Sequence, residues 1–311
     1  MWSYCVSRLA SLSDLPNPNN DEILQANQMM KKHITFSLIF FISMSMSVAG
    51  GGWVYKKGQG FVKLGQSMIY ADNFFDADGQ VIDITTIGLY TTSLYGEYGL
   101  SDKLTVIGYF PFFVRSTLNE IQFRQSGNAV PGDEVNALGD AQIGIKYGFN
   151  QNKSIVFAIG LMAGIPTGET MGGDGRILQT GDGEFNQLLK LEASHSFYPK
   201  PFYASATVGL NNRTKGFSDE VHFGFEIGYT PSEKITAILR SYTVNSLYNG
   251  DGTNTMSNGI FSNNTEYFSI GPEFIYGITQ DFGFTAGAGF AFSGKRILAS
   301  PNWSAGLFMT F

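Results

Sequence analysis

The chain holds a single cysteine, Cys5, and three histidines in 311 residues, and only 15% of it is charged. Ordinary soluble domains carry about 25% charge. One thiol excludes a disulfide framework and a cysteine-built metal site. Scarce histidine leaves few candidates for general-base chemistry. The net charge of −6 argues against nucleic acid as a partner, because phosphates call for clustered Lys and Arg. Beyond residue 50, no stretch shows sustained helical periodicity. Aromatic residues, at 14%, and glycine, at 38 residues, are plentiful.

The stretch "MMKKHITFSLIFFISMSMSVAGGGW" has the layout of an export signal. Lys31 and Lys32 form its charged start, Ile34 to Met46 its apolar stretch, and Ser47-Val48-Ala49 a small-x-small cleavage site. The apolar stretch is interrupted by serines and falls short of the roughly 20 apolar residues a spanning helix needs. The expected organisation is therefore a non-native or disordered extension at 1–28, a signal peptide at 29–49 and a mature body at 50–311. Processing would remove Cys5 and leave His195 and His222 as the only histidines.

The mature body alternates. In "GDAQIGIKYGF", Ala141, Ile143, Ile145, Tyr147 and Phe149 share one face, against Asp140, Gln142, Gly144, Lys146 and Gly148 on the other. "SIVFAIGLMAGI" and "FGFTAGAGFAF" repeat the pattern. Period-two alternation means a strand with two unlike faces. About twelve such segments follow one another, at roughly 59–70, 84–100, 103–115, 138–149, 154–166, 185–198, 202–212, 221–230, 234–245, 265–278, 282–293 and 302–311. Most are longer than the five or six residues usual in soluble domains, and they suit the roughly nine to eleven of a membrane-spanning strand.

Short connections at 101–103, 150–153, 199–201, 231–233 and 279–281 alternate with expected long loops at 71–83, 116–137, 167–184, 213–220, 246–264 and 294–301. One face of the strands is Phe, Ile, Leu, Val and Tyr; the other is polar or Gly. A soluble sandwich would turn its polar face to water and bury the rest, whereas apolar-out packing suits lipid. In hydrocarbon every backbone donor and acceptor must be paired, so the sheet has to close on itself. The expected fold is all-β: a transmembrane antiparallel up-and-down β-barrel of about 12 strands. Both termini are expected on the periplasmic side, in the outer membrane of a Gram-negative bacterium. Tyr98, Tyr147, Phe149, Phe197, Tyr198, Phe202, Tyr229 and Phe282 flank the short turns and are expected to form an interfacial girdle. The closing "NWSAGLFMTF" sends Trp303, Ala305, Leu307, Met309 and Phe311 toward lipid and pairs with the first strand near Gln59 to Tyr70. Its terminal Phe311 resembles the signal read by the outer-membrane insertion machinery. Lipid, that machinery and a small-molecule solute are the expected partners; no cofactor is called for.

By parity the lumen takes Lys63, Glu97, Asp140, Lys146, Lys190, Glu192, His222, Glu226, Arg240 and Glu273, with Lys190, Glu226, Arg240 and Glu273 near mid-depth. Such charges either pair into a salt-bridged plug or line a water-filled path for a polar solute. The loop "GETMGGDGRILQTGDGEFN" offers Asp174, Asp182 and Glu184 as oxygen ligands for Ca²⁺, but it lacks the spacing of a calcium loop and reads as a flexible polar loop. The loop at 246–264 reads as solvated. His195 is expected to face lipid and His222 the lumen, without a serine partner for either, so no enzyme is expected.

"LGDAQIGIKYGF" and "GLMAGIPTGE" resemble the outer-membrane family labelled putative MetA-pathway of phenol degradation. Gly139, Asp140, Gly144, Lys146 and Tyr147 match its first motif, where Ala137 replaces a glycine, and Pro166, Thr167 and Gly168 match its second. The resemblance implies a barrel channel that passes small, often hydrophobic or aromatic compounds. The long-chain fatty-acid transporter group differs by its N-terminal hatch; only about nine residues separate Gly50 from the first strand here, too few for such a plug. Three readings stay open: a passive channel, a non-conducting barrel that acts through its outer loops, and a lipid-active enzyme.

Overall fold

Period-two alternation folds into strand after strand. The computed structural model describes residues 51–122, 128–251 and 260–311; the expected extension and signal peptide lie outside them. The strands are β1 (Gly60–Phe75), β2 (Val81–Ser101), β3 (Leu104–Leu118), β4 (Ile121–Gln122), β5 (Ala129–Val130), β6 (Asp133–Ala137), β7 (Ala141–Phe149), β8 (Ile155–Ile165), β9 (Asn186–Ser196), β10 (Phe202–Arg213), β11 (Glu220–Ser232), β12 (Ile235–Ser246), β13 (Glu266–Gly277), β14 (Phe282–Lys295), β15 (Ile297–Leu298) and β16 (Asn302–Thr310). Leaving aside the short β4, β5, β6 and β15, twelve long strands form the wall, all paired antiparallel.

The sheet closes because β1 pairs with β2 on one side and β16 on the other. The seam runs from Phe61 opposite Thr310 to Ile69 opposite Asn302. Phe311 extends it: Gly60 N–H donates to its carbonyl at 2.8 Å, and its own N–H donates to Gly60 O at 3.1 Å. No edge is left on either terminal strand, which is what hydrocarbon requires.

The outer face is apolar as expected. Ile143, Ile145, Ile159, Leu161, Leu189, Leu191, Val208, Leu210, Phe223, Phe225, Leu239, Phe274, Phe284 and Leu307 are all exposed. The eight aromatics beside the short turns are exposed as well. Phe202 stacks on Tyr229 with centroids 4.6 Å apart, and Tyr98 on Phe311 at 6.3 Å.

Three expectations are corrected. The loop at 71–83 is largely strand: β1 runs on to Phe75 and β2 begins at Val81, with a bulge between Ala71 and Asn73. Asp76 makes the tight turn possible, its Oδ1 accepting the N–H groups of Asp78 at 2.9 Å and Gln80 at 2.8 Å. The loop at 294–301 is likewise narrowed by β15, which pairs with Phe74 and Phe75.

The second concerns the residues before β1: too few for a hatch domain, they nevertheless enter the lumen. They cross it. Gly52 N–H donates to Ser194 Oγ of β9 at 2.8 Å, and Trp53 sets its ring edge-on to Tyr203 of β10, centroids 5.6 Å apart. Gln151 Nε2 donates to Gly52 O at 2.8 Å, while Tyr55 N–H donates to Thr105 Oγ1 of β3 at 3.0 Å. An extended residue spans about 3.3 Å, so nine residues are ample for a barrel of this size. Gly99 is what lets the segment lie against β2: a Cβ there would sit 2.1 Å from Lys56 O.

The third correction concerns the inner face, which is not polar throughout. At the short-turn end Phe61, Ile238, Ile275 and Phe308 form a buried apolar cluster, with Tyr55 and Tyr95 packed against it. Phe61 stacks on Phe308 at 5.7 Å.

Candidate functional site

The lumen-facing side chains sort into three levels. Nearest the short turns, Lys146 is buried and reaches Glu97 at 3.4 Å; Tyr95 O–H donates to the other oxygen of Glu97 at 2.5 Å. Lys146 Nζ also lies 3.4 Å from Gly51 O, so the chain's leading segment sits directly against this pair. Lys190 and Glu192 form a separate pair at 3.6 Å on β9.

The middle level is a chain of four charges. Arg240 holds Glu226 with Nε and Glu273 with Nη1, and Lys63 reaches Glu273 at 3.0 Å. Register explains the gathering: Arg240 lies opposite Glu226, and Ile238 lies opposite Glu273 across the next strand. Tyr203 O–H adds a bond to Glu226 at 2.7 Å. Of the four residues expected at mid-depth, Lys190 is the one that does not join; Lys63 takes its place. The Arg240 side chain keeps 42% of its surface accessible although it points into the barrel. Space therefore remains around it, and the network does not fill this level.

The third level lies toward the long loops. Arg213 spends its whole guanidinium on three carboxylates: Nε to Glu184 and Nη2 to Asp182, both at 2.7 Å, and Nη1 to Glu220 at 2.8 Å. Glu220 also accepts from His222 Nε2 at 2.9 Å, and His222 Nδ1 faces the Tyr242 hydroxyl at 2.8 Å. A neutral imidazole that donates from Nε2 and accepts at Nδ1 satisfies both neighbours. Asp182 and Glu184, candidate calcium ligands, are thus tied to a cation of the chain itself. Asp174 lies elsewhere, its N–H donating to Asp133 at 2.9 Å. Among the described residues no group of three or more His, Cys, Asp or Glu side chains is arranged to hold a metal ion. Nor is the loop a flexible one: Leu178, Thr180 and Glu184 are 1% exposed. Burial pushes the Asp182 carboxyl up to about 7, against the opposing pull of the Glu184 N–H and Arg213; the charges of Asp140 and Glu184 push it further up. The loop at 246–264 is also partly packed: Asn263 is buried and accepts the Ser218 N–H at 2.9 Å.

The residues of the two motifs divide between places. Lys146 is in the lumen and Tyr147 on the outer face. Gly139, Asp140, Thr167 and Gly168 meet at the start of β7. Asp140 accepts the N–H groups of Gly168 and Asp182, each at 2.8 Å. Thr167 Oγ donates to Gly139 O at 2.5 Å and accepts Ala141 N–H at 3.0 Å. Pro166 ends β8 by leading the chain into this clamp. His195, on the outer wall, contacts Ser154 O at 2.6 Å and packs edge-on to Phe197.

A closed twelve-stranded antiparallel wall, apolar outside and charged within, defines the class: an outer-membrane β-barrel. The family described as "Putative MetA-pathway of phenol degradation" matches residues 66–304, and the chain belongs to it. No curated protein matches the sequence. Among solved structures, an outer-membrane channel from Pseudomonas putida F1 is similar in fold, with a TM-score of 0.58 at 12% identity, covering 85% of this chain and 99% of that one. The NanC porin aligns with a TM-score of 0.49 at 8% identity, over 80% of this chain and 99% of that one.

Proposed function

We propose that the chain is a channel that passes small hydrophobic or aromatic molecules across the outer membrane, both termini lying on the periplasmic side after removal of residues 1–49. The observation that carries this reading is the accessible charge at mid-lumen: Arg240, bonded to Glu226 and Glu273, still keeps open surface inside a closed wall. A structural barrel with a salt-bridged plug would have buried it. The lumen also presents many aromatic faces with hydroxyls, among them Tyr203, Tyr242 and Tyr267; the rings of the last two lie 6.5 Å apart. Such a wall suits a flat solute with one polar group. Lys146, Lys190, Glu192, His222, Glu226, Arg240 and Glu273 are its lining, and the segment Gly51–Lys57 narrows its periplasmic end. Family membership supports the hydrophobic class of solute.

The test uses a Gram-negative host whose outer leaflet excludes hydrophobic dyes. Uptake of N-phenylnaphthylamine is expected to be faster in cells producing the barrel than in cells without it. Equal rates, with the barrel shown to be inserted, would sink the proposal.

A further inference from the structure

The nitrogens of Arg240 are not used alike. Nε donates to Glu226 and Nη1 to Glu273, so the guanidinium plane is pinned at two points. Both carboxylates are held in turn, Glu226 by the Tyr203 hydroxyl at 2.7 Å and Glu273 by Lys63 at 3.0 Å. Nη2 has no hydrogen-bond partner among the described residues. Nor does a described aromatic ring cover the guanidinium face; the cation–π contacts belong to Arg213 and Lys295. Arg213 is the internal contrast. It spends Nε, Nη1 and Nη2 on carboxylates, lies 4.3 Å from the centre of the Phe217 ring and keeps 7% of its side chain accessible, against 42% for Arg240. One arginine is a filled tie. The other keeps a donor edge and a flat face open inside the barrel.

Register keeps space beside it. Arg240 pairs with Gly271, and Glu273 with Gly287 on the next strand. From Gly287 the inward row continues through Ser304 and Ser67, with Gly306 opposite Gly65 one row nearer the short turns. These positions alternate with the exposed Phe284, Trp303, Leu307, Leu64 and Met68, so they face the lumen. A Cβ on Gly306 would sit 2.7 Å from Lys63 Cε; glycine there lets the lysine stem lie along the wall and reach Glu273. One row nearer the long loops, a Cβ on Gly289 would meet nothing within 4 Å.

Charge decides what the open edge can take. Lys63 and Arg240 balance Glu226 and Glu273, so this level carries no net charge. An anion brought to Nη2 would give up its hydration and face two carboxylates. A neutral acceptor gives up little and gains a bond from a charged donor. A hydrocarbon in the same place would cover Nη2 and return no bond. An aromatic ring laid on the guanidinium face adds cation–π attraction.

We infer that the open edge and face of Arg240 form a station for the solute, selecting flat neutral molecules with an acceptor oxygen, such as aryl ketones, aryl ethers and phenols, over hydrocarbons and over anions. The inference rests on the channel reading above and narrows its solute class.

The test compares p-fluoroacetophenone with p-fluoroethylbenzene, alike in size and differing by the carbonyl, and with p-fluorobenzoate as the anion. Each is titrated by fluorine NMR against the barrel in nanodiscs, with empty nanodiscs as the blank. The ketone is expected to bind about tenfold more tightly than either of the others. Arg240→Met keeps the stem and removes the donors, and is expected to abolish the preference. Should it fail to insert, Arg240→Met with Glu226→Gln removes the cation together with a partner carboxylate and is expected to give the same result. Gly289→Leu fills the space beside the station and is expected to weaken ketone binding. Gly108→Leu is the control: Gly108 pairs with the exposed Ile143 on the lipid face, and a Cβ there also meets nothing within 4 Å. It is expected to leave binding unchanged. Equal binding of ketone and hydrocarbon by the wild-type barrel overturns the station. So does a preference that survives loss of Arg240, and so does tighter binding of the benzoate than of the ketone. Dye uptake by the wild-type barrel separates the two claims. Uptake without the ketone preference overturns the station and leaves the channel reading standing; the preference without uptake supports the station and defeats the channel reading.

Discussion

At the short-turn end, the lumen is crossed by a backbone segment and packed with rings; at the long-loop end, a loop is tied down by carboxylates gathered on one arginine. The first closure uses neutral donors, hydroxyls and apolar contact, and Lys146 and Glu97 neutralise each other beneath it. The second places Asp182, Glu184 and Glu220 around Arg213, with Asp140 accepting the Asp182 N–H and His222 beyond. The two ends should therefore answer to different perturbations, the first to deletion and the second to charge and pH.

The largest expected effect comes from removing Gly51–Lys57. The segment is attached by a few hydrogen bonds and two aromatic side chains, and none of the wall strands depends on it for pairing. Single-channel conductance is expected to rise several-fold while heat-modifiable folding persists. Conductance equal to wild type would show that the segment does not restrict the path.

Next comes Arg213→Met. It leaves three carboxylates facing one another with their cation gone, and breaking a buried ion group in this way typically costs about 3–5 kcal/mol. The loss should be local. Hydrogen exchange at residues 168–184 is expected to accelerate while the strands stay protected. Uniform acceleration across the wall would mean that Arg213 holds the barrel and not the loop.

A smaller effect is pH dependence at the same end. Asp182 is held at about 7 in the folded chain, against about 3.9 when unfolded. The folded loop thus prefers the protonated acid. Its contribution is complete below about pH 4 and is lost as pH rises through about 7. Protection of the loop is expected to be greater at about pH 5 than at about pH 8, and Asp182→Asn should flatten the difference. The short-turn segment should show no such trend; a parallel trend there would erase the contrast between the ends.

The smallest effect expected on the folded barrel is that of Phe311→Ala. It removes the ring stacked on Tyr98 but keeps the backbone bonds to Gly60. Insertion yield is expected to drop while conductance per barrel is unchanged, consistent with Phe311 as an insertion signal. Unaltered yield would remove that role.

Much of this was legible beforehand. Alternation located all twelve wall strands, because lipid on one side and a lumen on the other impose a strict two-residue period. Parity put Lys146, Glu192, His222, Glu226, Arg240 and Glu273 inside. It did not say which would meet, since that depends on register between strands distant in sequence, as with Lys63 and Glu273. Arg213 was missed because it ends a strand and its partners come from a loop whose glycines suggested mobility. The crossing segment was missed because its few residues were weighed against hatch domains instead of against the width of the barrel.

The central claim is that this wall encloses a path for small apolar solutes, and uptake of N-phenylnaphthylamine through a hydrophobe-excluding outer membrane tests it most directly. The account predicts uptake above that of cells without the barrel. Uptake no faster than in those cells, with the folded barrel present in the outer membrane, would contradict it.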